Sequence, residues 1–118
     1  MTTIGEHVSA RELLHDVIPK LKATERFIDE TLAMLIEQAS PGDERARRER
    51  QQHAFRVNLT MIRMNLDHLL KRHEHWLDEF SDPGGVSSSP LLELDEHERV
   101  ALNCAIKLYQ QAQAFQTR

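Results

Sequence analysis

The residues best suited to chemistry are histidines. The chain has seven, and His68, His73 and His75 crowd one stretch beside Asp67, Glu74, Asp78 and Glu79, a composition that invites a metal. A helical metal site needs ligands three or four residues apart on one face. His73 and His75 are two apart, about 200° around a helix, and cannot share an ion. His68 and His75 align but lie two turns apart. His75 with Glu79 is the one acceptable pair, and two ligands are too few, so neither a metal nor a cofactor is expected. His73, on an apolar seam, reads as a hydrogen-bonded core histidine.

Nucleophilic chemistry has less material. Cys104, the only cysteine, sits within Ala101-Leu102-Asn103-Cys104-Ala105-Ile106 and reads as a small core residue. It leaves no intrachain disulfide and no sign of an oxidising compartment. No Gly-x-Ser-x-Gly, phosphate loop or dinucleotide fingerprint is present. The expectation is a non-enzymatic protein.

What remains is a set of helices with more apolar surface than one core face needs. From Phe55, alternating steps of four and three land on Leu59, Ile62, Leu66, Leu69, His73, Trp76 and Phe80, apolar at every stop but His73. Such steps return to one side of a helix and make a packing seam. Ala54, Val57, Met61 and Met64 form a second row on the opposite side of the same turns. Either a third helix covers that row, or another protein does. Methionines suit the second use, because they are unbranched and adapt to a partner's surface.

Composition agrees with an all-α domain. The chain has 118 residues, four glycines, 5% aromatic residues and a net charge of −4. That length makes one domain able to bury a core unaided, and few aromatics and glycines lean away from β architecture. The acidic balance argues against general nucleic-acid binding. No apolar run approaches the roughly 20 residues that span a bilayer, and residues 1–8 lack a signal-peptide core, so a cytoplasmic protein that does not enter membranes is expected.

Three main helices are expected, at about 9–39, 44–80 and 95–116. Ser9-Ala10-Arg11-Glu12 fits a capping box at the first start. Leu14, Ile18, Leu21, Ile28, Leu32 and Leu35 follow the four-three rhythm, flanked by Leu13, Val17 and Phe27. Pro19 predicts a kink or break near 15–18. Ser40-Pro41-Gly42-Asp43 is a turn short enough to fold the second helix back antiparallel to the first. The second helix opens with Arg45, Arg47, Arg48 and Arg50 interleaved with Glu44 and Glu49, a solvated end or a charged rim for a partner. Ser81 to Pro90 reads as loop by composition, and residues 81–94 are expected to be flexible. Asp95-Glu96-His97-Glu98 caps the last helix, whose stripe is Ala101, Ala105, Leu108, Ala112 and Phe115.

An uninterrupted 44–80 helix would be a rod of about 55 Å. A compact domain of this size is roughly 35 Å across. The overhang predicts cover from a second copy or another protein, hence a homodimer through the long helix.

The full chain resembles the QslA-like quorum-sensing anti-activators of pseudomonads, which sequester the transcription factor LasR. The likeness lies in a short acidic chain, in Ser9-Ala10-Arg11-Glu12 opening the first helix, and in Asn58-Leu59-Thr60-Met61-Ile62-Arg63-Met64 on the long one. It implies a helical dimer that binds a LuxR-type activator, blocks the activator's dimerisation and so prevents DNA binding. The expected contact residues are Ala54, Val57, Met61 and Met64, with Arg48 and Arg50 as a polar rim. The alternative is a helical adaptor, secretion chaperone or phage-encoded inhibitor using the same face on another protein.

Overall fold

A computed structural model describes residues 4–74 and 91–116. The expected Trp76 and Phe80 stops, His75, and residues 81–90 of the loop lie outside the described residues. Three helices pack around one core: α1 (residues 10–38), α2 (Asp43–Arg72) and α3 (Glu96–Gln116). A small antiparallel sheet joins β1 (His7–Ser9) to β2 (Leu91–Glu93), with Val8 opposite Leu92.

The sheet corrects the expectation that all of 81–94 is a flexible loop. Leu92 and Leu94 are buried while Leu91 and Glu93 face outward, the period of two that a half-buried strand requires. The Leu94 amide then donates to the Glu6 carbonyl at 2.9 Å, which continues the pairing past the strand.

Pro19 does not break α1. The turn ahead of it, Leu13–Val17, is π-helical, and the Ile18 amide reaches back five residues to the Leu13 carbonyl. Proline's missing donor and its ring are taken up in this wide turn. A second π stretch, Phe27–Leu32, follows nine residues later. Each wide turn rotates the register of the face behind it. Leu13, Val17, Leu21, Phe27, Ile28 and Leu32 are therefore buried, while Leu14, Ile18 and Leu35, expected at the centre of the stripe, sit at its margin.

The hairpin turn is where it was expected. Gly42 has φ 104°, a left-handed value that favours glycine, and the Arg45 guanidinium donates to the Ala39 carbonyl at 3.2 Å. On α2 the seam is borne out: Phe55, Leu59, Ile62, Leu66 and Leu69 are all buried. On α3 Ala101, Ala105, Leu108 and Ala112 are buried too, and the alanines let the helices approach closely. Phe27 meets Phe55 edge-on at 5.9 Å and Phe115 at 5.5 Å, tying the three helices together at one end.

Helix α2 runs to Arg72, and His73 leaves helical geometry at φ −112° and ψ 21°; residues 75–80 of the expected helix lie outside the described residues. Its 30 residues make a rod of about 45 Å. The molecule measures 53 × 29 × 25 Å, and α1 is almost as long as α2. The rod is accommodated by an elongated hairpin, so length alone no longer calls for a second copy.

Candidate functional site

The polar residues with most potential chemistry meet where α2 ends and α3 begins. Asp95 and Glu98 form a reciprocal capping box: the Glu98 amide donates to Asp95 Oδ1 at 2.7 Å, and the Asp95 amide to Glu98 Oε1 at 2.9 Å. The Glu98 side chain is wholly buried. Arg72 grips it with two hydrogen bonds, Nη2 to Oε1 at 2.7 Å and Nε to Oε2 at 3.1 Å. His68 Nδ1 lies 2.9 Å from Oε2 and, facing a carboxylate, acts as the donor. Burial pushes the Glu98 carboxyl upward, but the bonds from Arg72, the Asp95 amide and His68 outweigh it and hold the group below its ordinary value. Arg72 also donates to the Glu93 carbonyl at 2.9 Å, and His73 Nε2 lies 3.1 Å from the same oxygen.

His68, Asp95 and Glu98 bring their ligand atoms within 4.8 Å of one another. This grouping was not legible in the spacing, since two of the three come from another helix. It is still a poor cation site. Both Glu98 oxygens are engaged by the Arg72 guanidinium, so an entering metal would meet a fixed positive charge. The cluster instead ties together the end of α2, β2 and the start of α3. Exhaustive dialysis against chelator is expected to leave Tm unchanged, and added zinc should not raise it. A fall of several degrees that zinc restores would contradict this.

Cys104 is half-buried beside Asn58, with Sγ 3.9 Å from Oδ1. Burial pushes its thiol up, against a smaller opposing pull from Lys107. That environment suits packing rather than nucleophilic attack.

The outer row of α2 is the other candidate. Val57 is 56% exposed and Met64 68% exposed, in the middle of a helix whose opposite side is sealed in the core. Ala54 is exposed as well. Met61 lies between them around the helix and packs partly against the core. Polar neighbours offer little to a partner: Asn58, Thr60 and Asn65 return their donors to the Ala54, Arg56 and Met61 carbonyls, each at 3.0 Å. This side presents Ala54, Val57 and Met64 among exposed polar and charged residues, Arg50, Thr60, Asp67, His68 and Lys71 among them.

Helix α3 packs alongside α2. Glu98 meets His68, Cys104 meets Asn58, and Arg48 lies over Phe115 at 5.4 Å. These contacts fix an antiparallel register that sets Val100 level with Met64. Val100 is 52% exposed; its place outside the Ala101-Ala105-Leu108-Ala112 stripe was the signal in the sequence. Arg48 does not join the outer row. It is turned to the core side against Phe115, while Arg50 is exposed on the outer side.

No helix among the described residues is long and apolar enough to cross a membrane. No protein-family profile, curated protein or solved structure matches the chain.

Proposed function

We propose that this chain is a non-enzymatic protein-binding regulator that works through the outer face of α2. The observation that carries the reading is the exposure of Val57 and Met64 in the middle of a long, well-packed helix. An apolar row of this kind gains free energy only when another surface excludes water from it. Fully buried, each of these side chains would contribute up to about 1.5–3 kcal/mol.

The target class follows from the resemblance to quorum-sensing anti-activators. The face would occupy the patch through which a LuxR-type activator pairs with its second subunit, and an activator held as a monomer would lose its DNA. The homodimer expected from the sequence would use this same face, so self-association and partner binding would exclude each other.

A mobility-shift assay with a purified LuxR-type activator on its operator tests the proposal. The wild-type chain should release the DNA, and Met64→Glu at equal concentration should not. Release that is equally effective with the variant would overturn the assignment of the face. No release by the wild type would turn the reading toward an adaptor or chaperone acting on another protein.

A further inference from the structure

Where the first half of α2 meets the last turns of α3, the core opens into a cleft of about 390 Å³ lined by Gln51, Phe55, Gln111, Ala114 and Phe115. Ligand sites begin at this size. The floor is aromatic: Phe55 is buried, and Phe27 backs both Phe55 and Phe115, with ring centroids 5.9 and 5.5 Å away. The rim is polar, since Gln51 and Gln111 each carry a carboxamide that can donate and accept. Arg48 stands over the Phe115 ring at 5.4 Å, and its Nη1 donates to Gln51 Oε1 at 3.4 Å. A guanidinium has five N–H donors, and among the described residues no carboxylate pairs with this one.

The charges around the cleft have one sign. Residues three or four positions from a lining residue share its side of the helix. Among the described residues in those positions the charged ones are Arg47, Arg48 and Lys107, with no acid. The acids of this end of α2, Asp43, Glu44 and Glu49, are exposed and do not line the cleft. Glu49 lies about 160° around the helix from Gln51. The carbonyl end of α3 presents about half a negative charge, less than the three cations supply.

We propose that this cleft binds a small aromatic carboxylate. The ligand's ring lies against Phe55 and Phe115, offset or edge-on as aromatic pairs prefer. Its carboxylate meets the Arg48 guanidinium, whose planar fork matches two carboxylate oxygens, and the glutamine carboxamides hydrogen-bond around it. An amine would face three cations, and a neutral ring would leave Arg48 without a counter-charge. The site lies at the α2–α3 seam, away from Val57 and Met64, and does not depend on the protein-binding reading.

Naphthoate and its neutral twin naphthamide test this when titrated into the isotope-labelled full chain at neutral pH and followed by amide NMR. Naphthoate should move the side-chain amide resonances of Gln51 and Gln111 and saturate with Kd below about 1 mM. Naphthamide should bind at least about fivefold more weakly, and octanoate should also bind more weakly than naphthoate. Arg48→Gln should remove the preference for naphthoate over naphthamide. Ala114→Phe, which adds a ring at the cleft, should weaken both at least about tenfold. Equal affinity of the twins for the wild type overturns the proposal, as does no shift at about 5 mM naphthoate. So do shifts confined to residues outside the cleft, a preference that survives Arg48→Gln, or octanoate binding as tightly as naphthoate. The same spectra report whether each variant is folded; if Arg48→Gln is not, the comparison of the twins on the wild type decides.

Discussion

Leu66→Glu is expected to unfold this protein, whereas Met64→Glu, two positions away on the same helix, should leave it folded. Leu66 is 6% exposed within the α2 seam, and Met64 is 68% exposed on the other side. The first change forfeits about 1.5–3 kcal/mol of apolar burial and places a carboxylate where no partner awaits it, a larger cost. Together these approach the total stability of about 5–15 kcal/mol typical of one domain. The second change swaps one exposed side chain for another, and surface substitutions of that kind usually fall within about 0.5 kcal/mol. Thermal melts followed at 222 nm separate the two. A Met64→Glu variant without helical signal would make the outer row ordinary core.

The second large effect is expected at the buried carboxylate. Arg72→Ala leaves Glu98 buried with its main counter-charge removed, which costs about 3–5 kcal/mol for a buried pair. The lower end applies here, because Arg72 is itself 39% exposed to solvent. The pH dependence has a definite sign. Glu98 is held below its ordinary value of 4.5 in the folded state. Its contribution is therefore complete above that value and is lost as pH falls from 4.5 toward the folded pKa. Glu98→Gln keeps a capping-box residue at the same helical position, so it should lose part of the acid-side slope without losing the helix start. Denaturant melts of both proteins between about pH 3 and 7 measure this. Identical acid-side slopes would show that Glu98 does not supply the linkage.

The parts of the fold that were legible in the sequence depend on local periodicity. Phe55, Leu59, Ile62, Leu66 and Leu69 repeat at helical spacing and are buried together. Ser9 caps α1, with its hydroxyl accepting from the Glu12 amide at 3.0 Å, and Asp95 caps α3 through a bond that needs only neighbouring residues. Where the structure departs from the reading, the cause is non-local or a change of period. The π turns around Pro19 and Phe27 move Leu13 and Val17 inward and Leu14 and Ile18 to the margin, because a fixed 3.6-residue period cannot register an extra residue per turn. Strand β2 spans only three residues, too few for its alternation to mark a strand in the sequence, and it pairs with β1. The grip of Arg72 on Glu98 joins residues 26 apart, a distance at which spacing holds no information.

The candidate face was legible in outline for the same reason. Val57 and Met64 fall on one side by arithmetic alone, and the structure exposes both. The packing of Arg48 over Phe115 was not legible, because arginine on a polar run gives no sign that its guanidinium will meet a distant ring.

The most direct test of the face uses the methionines as reporters. In protein labelled at the methionine methyl groups, Met61 and Met64 lie on the outer side of α2, and Met34, 46% exposed on α1, serves as the internal control. On titration with the ligand-binding domain of a LuxR-type activator, the Met64 and Met61 methyl resonances should shift or broaden while that of Met34 stays in place. Perturbation of Met34 with Met64 unmoved would place the partner elsewhere and contradict the account.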